Sequence, residues 1–570
     1  MIRQIAAIAL TIPISLTGCA RQNELEKEFA QMHEAYLAEY RPVAVEAERA
    51  WWNAATTGSD EAFAKKESYD KQIVELHGNK DRYARLKALK DSGRVDDPML
   101  ARELDVMYRA HVPGQADPEL QKKIIAIQTE VEKVFTNHRA DVDGKQLSEN
   151  DVRDVLGSTK NSAAAKAAWT GFVEVGRKIE TQLRECARLR NELARKLGYR
   201  DYFAMQLALQ EVDEQELFAI FDEMDALTRG PFERLKAEID ANRAGHFGIT
   251  VAGLRPWHYG DIFFQEAPPM PGPDLNAIYA DKDLLVLTKK YYHSLGLDPD
   301  DILARSDLYE RPGKNSHAFA THIDREGDTR VLCNLQPNMR WMDTLIHELG
   351  HAVYDKYIDR KLPFVLRVPS HPITTEGYAM MMGAMAKKEE YLRKVVGLPP
   401  GEADAYVVAA RESLRAEKLI FSRWAQVMTR FERAMYADPE QDLAKLWWDI
   451  KKQYQAINPP DDASLPGYAA KVHVVSNPVY YHSYALGDLF ASQVHNHIAT
   501  KIVRSDVQTT SYFDSTAAGE YMKREIFEPG NLYPWNELTR RATGERLTAK
   551  YFAQQYVGED RQRPMTTAMN

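Results

Sequence analysis

Cysteine is almost absent: 570 residues contain three, Cys19, Cys186 and Cys333. So few exclude a disulfide-stapled scaffold and a four-cysteine zinc site, and Cys186 and Cys333 read as buried thiols rather than as partners. Long apolar runs are lacking too. The one run, Ile5–Leu16, is too short to cross a bilayer, which excludes a polytopic membrane protein. Positive charge is in deficit: 74 Lys and Arg against 83 Asp and Glu give a formal charge of −9, without the basic face of a nucleic-acid binder. Glycine (30) and proline (27) make up a tenth of the chain, too little for collagen-like or low-complexity architecture. What is present is a 44% hydrophobic composition, ample for a large core.

The first residues bear on location. Arg3 precedes the apolar run, and Leu16-Thr17-Gly18-Cys19 follows it. A basic start and a short apolar stretch match a secretory signal, and small residues before a cysteine resemble the bacterial lipobox. That resemblance implies removal of residues 1–18, acylation of Cys19, and a lipid-anchored protein of the periplasm or cell envelope. The remainder, 19–570, reads as a single domain.

Helical periodicity dominates that remainder. Apolar residues three and four apart recur from Glu24 to Val112 and again in Glu180–Leu197 and Glu214–Leu227. Strand-like alternation is scarce. The best candidates are His317–Ile323 and Thr329–Leu335, separated by the acidic, glycine-containing turn 324–328. The expected fold is mainly α: a large helical body of two lobes around a deep substrate cleft, with a small β element.

One motif carries most of the chemistry. His347-Glu348-Leu349-Gly350-His351 lies in a segment with apolar Met342, Leu345, Ile346, Leu349 and Val353. That helical period places both histidines on one face, the spacing two imidazoles need to hold one zinc ion. Glu348, between them, is suited to take a proton from water activated by that metal. A catalytic zinc takes three protein ligands. Glu376, in Thr374-Thr375-Glu376-Gly377-Tyr378 at the start of the next apolar helix, has the spacing of gluzincin peptidases, in which a following helix supplies a glutamate. A threonine there would cap that helix. His371, in the irregular stretch Pro369–Pro372, is the rival third ligand.

With further motifs in order, the sequence resembles the angiotensin-converting enzyme (peptidyl-dipeptidase A) family. Glu34–Tyr40 followed by Trp52–Thr56 is similar to the family's N-terminal helix that lids the cleft. Gly260–Gln265 resembles its Gly-Asp-Met-Trp-Ala-Gln stretch, and His317-Ala318 its His-Ala pair. Lys471-Val472-His473, then Pro478 and a tyrosine cluster, resembles the segment with a lysine, a histidine and two tyrosines.

The resemblance implies a zinc peptidase that takes short peptides and releases C-terminal dipeptides. Gln265, Lys471 and Tyr481 or Tyr480 would bind the terminal carboxylate. His317 and Ala318 would lie along the peptide backbone, and His473 and Tyr484 would donate to the oxyanion.

There are departures. The family's Pro-Tyr-x-Arg-Tyr reads Pro478-Val479-Tyr480-Tyr481-His482-Ser483-Tyr484 here. Ungapped counting favours Tyr480 as carboxylate partner, whereas the Tyr-x-x-Tyr spacing favours Tyr481 with Tyr484. Ser483 or His482 replaces the arginine that helps bind an activating chloride, so no chloride dependence is expected. Met380 stands where the family has an aspartate that orients a zinc histidine, so that support must differ. Ser316 stands where a half-cystine would pair with Cys333. A thimet-type oligopeptidase, cutting internal bonds, fits the tyrosine cluster nearly as well.

Overall fold

A computed structural model describes residues 23–268 and 272–557. The segment resembling a lipobox, with Cys19, lies outside the described residues. Among the described residues the structure is mainly helical, 69%, with two small two-stranded sheets, as the periodicity predicted. One contiguous apolar core runs from Phe29 to Val557. Cys186 and Cys333 are free and buried. Among the described residues, no helix is long and apolar enough to cross a membrane.

The first helix, Glu24–Thr57, opens on a capping box in which Asn23 and Glu26 satisfy each other's backbone amides, and it stops at Gly58 with φ +66°. Its C-terminal half is fastened to a β-hairpin. Phe319–His322 pairs antiparallel with Thr329–Leu332 in the register Ala320↔Val331. Trp52 and Ala55 of the helix pack on Ile323 and Leu332 of the hairpin. Thr321 donates from Oγ1 to Glu48 at 3.0 Å, and Asn315 donates its backbone N–H to the Ala55 carbonyl at 2.8 Å. The strands are shorter than the sequence predicted, because the bend at Asp324–Asp328 is fixed by Asp324 accepting from the amides of Glu326 and Asp328.

A second hairpin, Ala140–Val142 with Lys145–Leu147, was not foreseen. Asp143 and Gly144 both have positive φ, at +53° and +79°, the two-residue turn that Asp-Gly favours.

Three helices enclose the site. The motif helix spans Met339–Lys356, the glutamate helix Pro372–Ala384 and the tyrosine helix Tyr481–His497. The glutamate helix starts earlier than predicted. His371 is its N-cap, its ring accepting from Ile373 N–H, and Pro372 occupies the first turn. Glycines let these helices approach. A Cβ on Gly377 would stand 2.6 Å from the Gly487 carbonyl oxygen, and one on Gly350 3.0 Å from the Ala379 Cα. Met380, in place of the family's aspartate, lays its methyl group over Gly487.

Gly377→Ala should therefore lower the thermal midpoint by overpacking, a cost of about 1–3 kcal/mol. Gly245→Ala, at a helical site with open space around it, should raise the midpoint. Calorimetry on both checks the contrast, and a gain for Gly377→Ala would show that the helices separate freely.

Candidate metal centre

His347 and His351 project from one face of the motif helix towards Glu376. Their ligand atoms all lie within 4.8 Å of one another. The two Nε2 atoms are 3.2 Å apart, and Glu376 Oε2 is 3.7 Å from His347 and 3.8 Å from His351.

Each imidazole is held from behind. Nδ1 of His351 lies 2.7 Å from Thr375 Oγ1, and His347 donates to the backbone carbonyl of Ala379. With the outer nitrogens engaged, the inner lone pairs face the common centre. Burial holds His347 down to about 4 and His351 to about 3, so both rings are neutral at pH 7. Burial also pushes Glu376 up to about 7. Two neutral imidazoles and a carboxylate are the donor set of a catalytic zinc site, and the residues fit that ion.

Glu348 sits on the same helix, buried, with the Ala320 N–H of the hairpin donating to its carboxylate. Burial first, and the neighbouring Glu376 second, push its carboxyl up to about 8. A cation among the three donor groups works against that rise.

The carboxylate-binding candidates also converge. The Lys471 ammonium donates to Gln265 Oε1 at 3.0 Å and lies 5.1 Å from the Phe263 ring and 5.9 Å from the Tyr481 ring. Burial brings Lys471 down to about 8. Gln265 is steered by Asp261, whose carboxylate accepts from the amides of Phe263 and Gln265. The Tyr481 ring lies 5.3 Å from that of His473, which burial keeps neutral with a value near 4.

Tyr480 and Tyr484 stack edge to face at 5.1 Å. Both phenols are raised by burial and then by the charge of Glu376. Tyr481 is thus the tyrosine of the cluster whose ring lies beside Lys471. Gln265, Met380 and Tyr484 help line a cavity of about 890 Å³.

His317 is exposed and Ala318 half-buried, just before the hairpin strand. The rival ligand His371 stays outside the cluster: one ring nitrogen caps a helix, and burial holds the ring near 4. The sequence reading missed Thr375, Ala379 and Ala320. Thr375 adjoins Glu376, which was its one signal; the other two act through backbone atoms.

Fold and donor set together define a helical scaffold of the HExxH metallopeptidase type. A family model described as angiotensin-converting enzyme matches residues 23–230 and 275–557, and the chain belongs to that family. The family is zinc-dependent. Among curated proteins, the chain is 24% identical over 260 residues to Thermostable carboxypeptidase 1 of Pyrococcus furiosus, covering 42% of this chain and 51% of that protein. It is also 24% identical over 257 residues to Carboxypeptidase 1 of Bacillus subtilis, covering 41% and 50%. The chain thus spans about half the length of the curated relatives it matches.

Glu376→Gln should lower zinc content, measured by atomic emission on purified protein, whereas His371→Ala should keep one zinc per chain. Thr375→Val should weaken zinc binding about 10- to 100-fold in chelator competition. Full zinc in Glu376→Gln with loss in His371→Ala would reverse the ligand assignment.

Proposed function

We propose that the protein is a zinc peptidyl-dipeptidase that releases C-terminal dipeptides from short peptides. The observation that carries this reading is Lys471. It is a buried ammonium whose hydrogen-bond partner is a neutral amide, and among the described residues no carboxylate lies within ion-pair distance of it. A buried cation without a partner is costly, and a peptide's terminal carboxylate would supply one. Gln265 and Tyr481 beside it would complete the grip. The two relatives bear the name carboxypeptidase, which agrees with a site that reads a chain end.

His347, His351 and Glu376 would hold one zinc ion, which when bound polarises the scissile carbonyl and acidifies water. Glu348 accepts the proton of the attacking water and passes it to the leaving amine, steadied by the Ala320 amide. His473 and Tyr484 donate to the oxyanion as it forms, a contribution typically of about 3–4 kcal/mol. The neutral state of His473 leaves it one N–H to donate. His317 and Ala318 would lie along the peptide backbone, and Ala318, two residues before Ala320, would present its amide on the strand edge that Ala320 turns to Glu348. We read the protein as exported and anchored through Cys19, on sequence pattern alone.

Glu348→Gln should keep zinc and fold and lose activity by several orders of magnitude. Turnover within tenfold of the parent would remove Glu348 from its role.

Lys471→Ala should lower kcat/KM for free-acid peptides by roughly 10- to 150-fold, the worth of a charge-assisted hydrogen bond, with little effect on C-terminal amides. Because Lys471 is cationic below about 8 and neutral above, kcat/KM for free acids should fall as pH rises through that value. Mass spectrometry of products from acid and amide pairs checks this; equal cleavage of both by the parent, at internal bonds, would replace the reading with an oligoendopeptidase.

A further inference from the structure

Between His473 and Tyr481 the chain passes through Val479, whose φ is +56°. A β-branched residue is a genuine outlier in that region, and such outliers persist only where the surroundings over-determine them. Here they do. Val479 N–H donates to Glu432 Oε1 at 2.8 Å, and Gln210 donates to the Val479 carbonyl at 3.3 Å. Upstream, Arg190 donates to the carbonyls of Val474 and Val475. Glu432 and Arg190 are buried at 1% and 2% exposure, on helices Pro400–Ala437 and Val175–Lys196. Neither touches the donor cluster, so nothing in the chemistry of that cluster accounts for a buried carboxyl and a buried guanidinium clasping this short segment.

What the segment does next accounts for them. Directly after Val479 come Tyr480, edge to face with Tyr484 one turn on, and Tyr481, beside Lys471 and His473; Tyr480 and Tyr484 share a helix face with Gly487, which meets Gly377 of the glutamate helix. A right-handed φ at Val479 would turn its N–H away from Glu432 and rotate the start of the tyrosine helix.

We propose that Val479 is a positioning joint locked by Glu432, and that its left-handed turn divides the phenols, sending Tyr480 and Tyr484 to the metal cluster while Tyr481 stays beside Lys471. The proposal rests on the reading of the site given above. Lys471, Gln265 and His473 lie before the joint, so they keep their places when it fails.

The test compares four variants of the zinc-loaded protein. Glycine adopts φ +56° freely and keeps the N–H, whereas proline locks φ near −65° and has none. Val479→Gly and Glu432→Gln should stay within about threefold of the parent in kcat. Val479→Pro and Glu432→Leu should lose about 100-fold in kcat while keeping one zinc per chain. Parental kcat in Val479→Pro, or equal damage from glycine and proline, would overturn the proposal. Where Val479→Pro fails to fold, the two Glu432 variants decide in the same way. A parent without peptide turnover would overturn the reading of the site instead, and the joint is then read from crystal structures of the parent and Glu432→Leu: Tyr480 and Tyr484 leave Glu376 in the variant if the joint is real and stay if it is not.

Discussion

The distance between three helix backbones governs this structure. Gly350, Gly377 and Gly487 remove the side chains that would hold the motif, glutamate and tyrosine helices apart. Each glycine in a helix costs about 1 kcal/mol relative to alanine, a penalty accepted where backbones must nearly touch. Because they do, a carboxylate on one helix reaches two imidazoles on another, and the same glutamate helix supplies both the donor Glu376 and the supports Thr375 and Ala379. A shift of the glutamate helix by one ångström would disturb donors and supports together.

Close approach also sets the electrostatics. Burial among the packed helices keeps the histidines neutral and raises the carboxyls of Glu348 and Glu376, the second partly responsible for the first. Two such carboxyls side by side are an unfavourable arrangement that a bound cation would relieve. At the other end of the site the sign is reversed: Lys471 is a buried cation whose hydrogen-bond partner is a neutral amide.

Much of this was legible in the sequence, for identifiable reasons. HExxH and its apolar stripe are local periodicities, and a helix converts them directly into a shared face. Gln265, Lys471 and the tyrosines were legible through their order, since no local pattern marks any of them. The supports were not legible. Ala320 and Ala379 act through backbone atoms that any residue provides, and Thr375 matters only because the helices approach so closely. The glutamate helix began earlier than its threonines suggested because an imidazole, His371, served as the cap. The hairpin at 140–147 carried an Asp-Gly signal, but strands of three residues are too short to show alternation.

Ala320 and Thr321 are consecutive residues of one short strand. The first gives its amide to Glu348, and the second gives its hydroxyl to Glu48 on the first helix. The helix resembling a lid and the carboxylate resembling a base are therefore separated by a single peptide unit. The same short strand thus braces the first helix on one residue and the Glu348 carboxylate on the next.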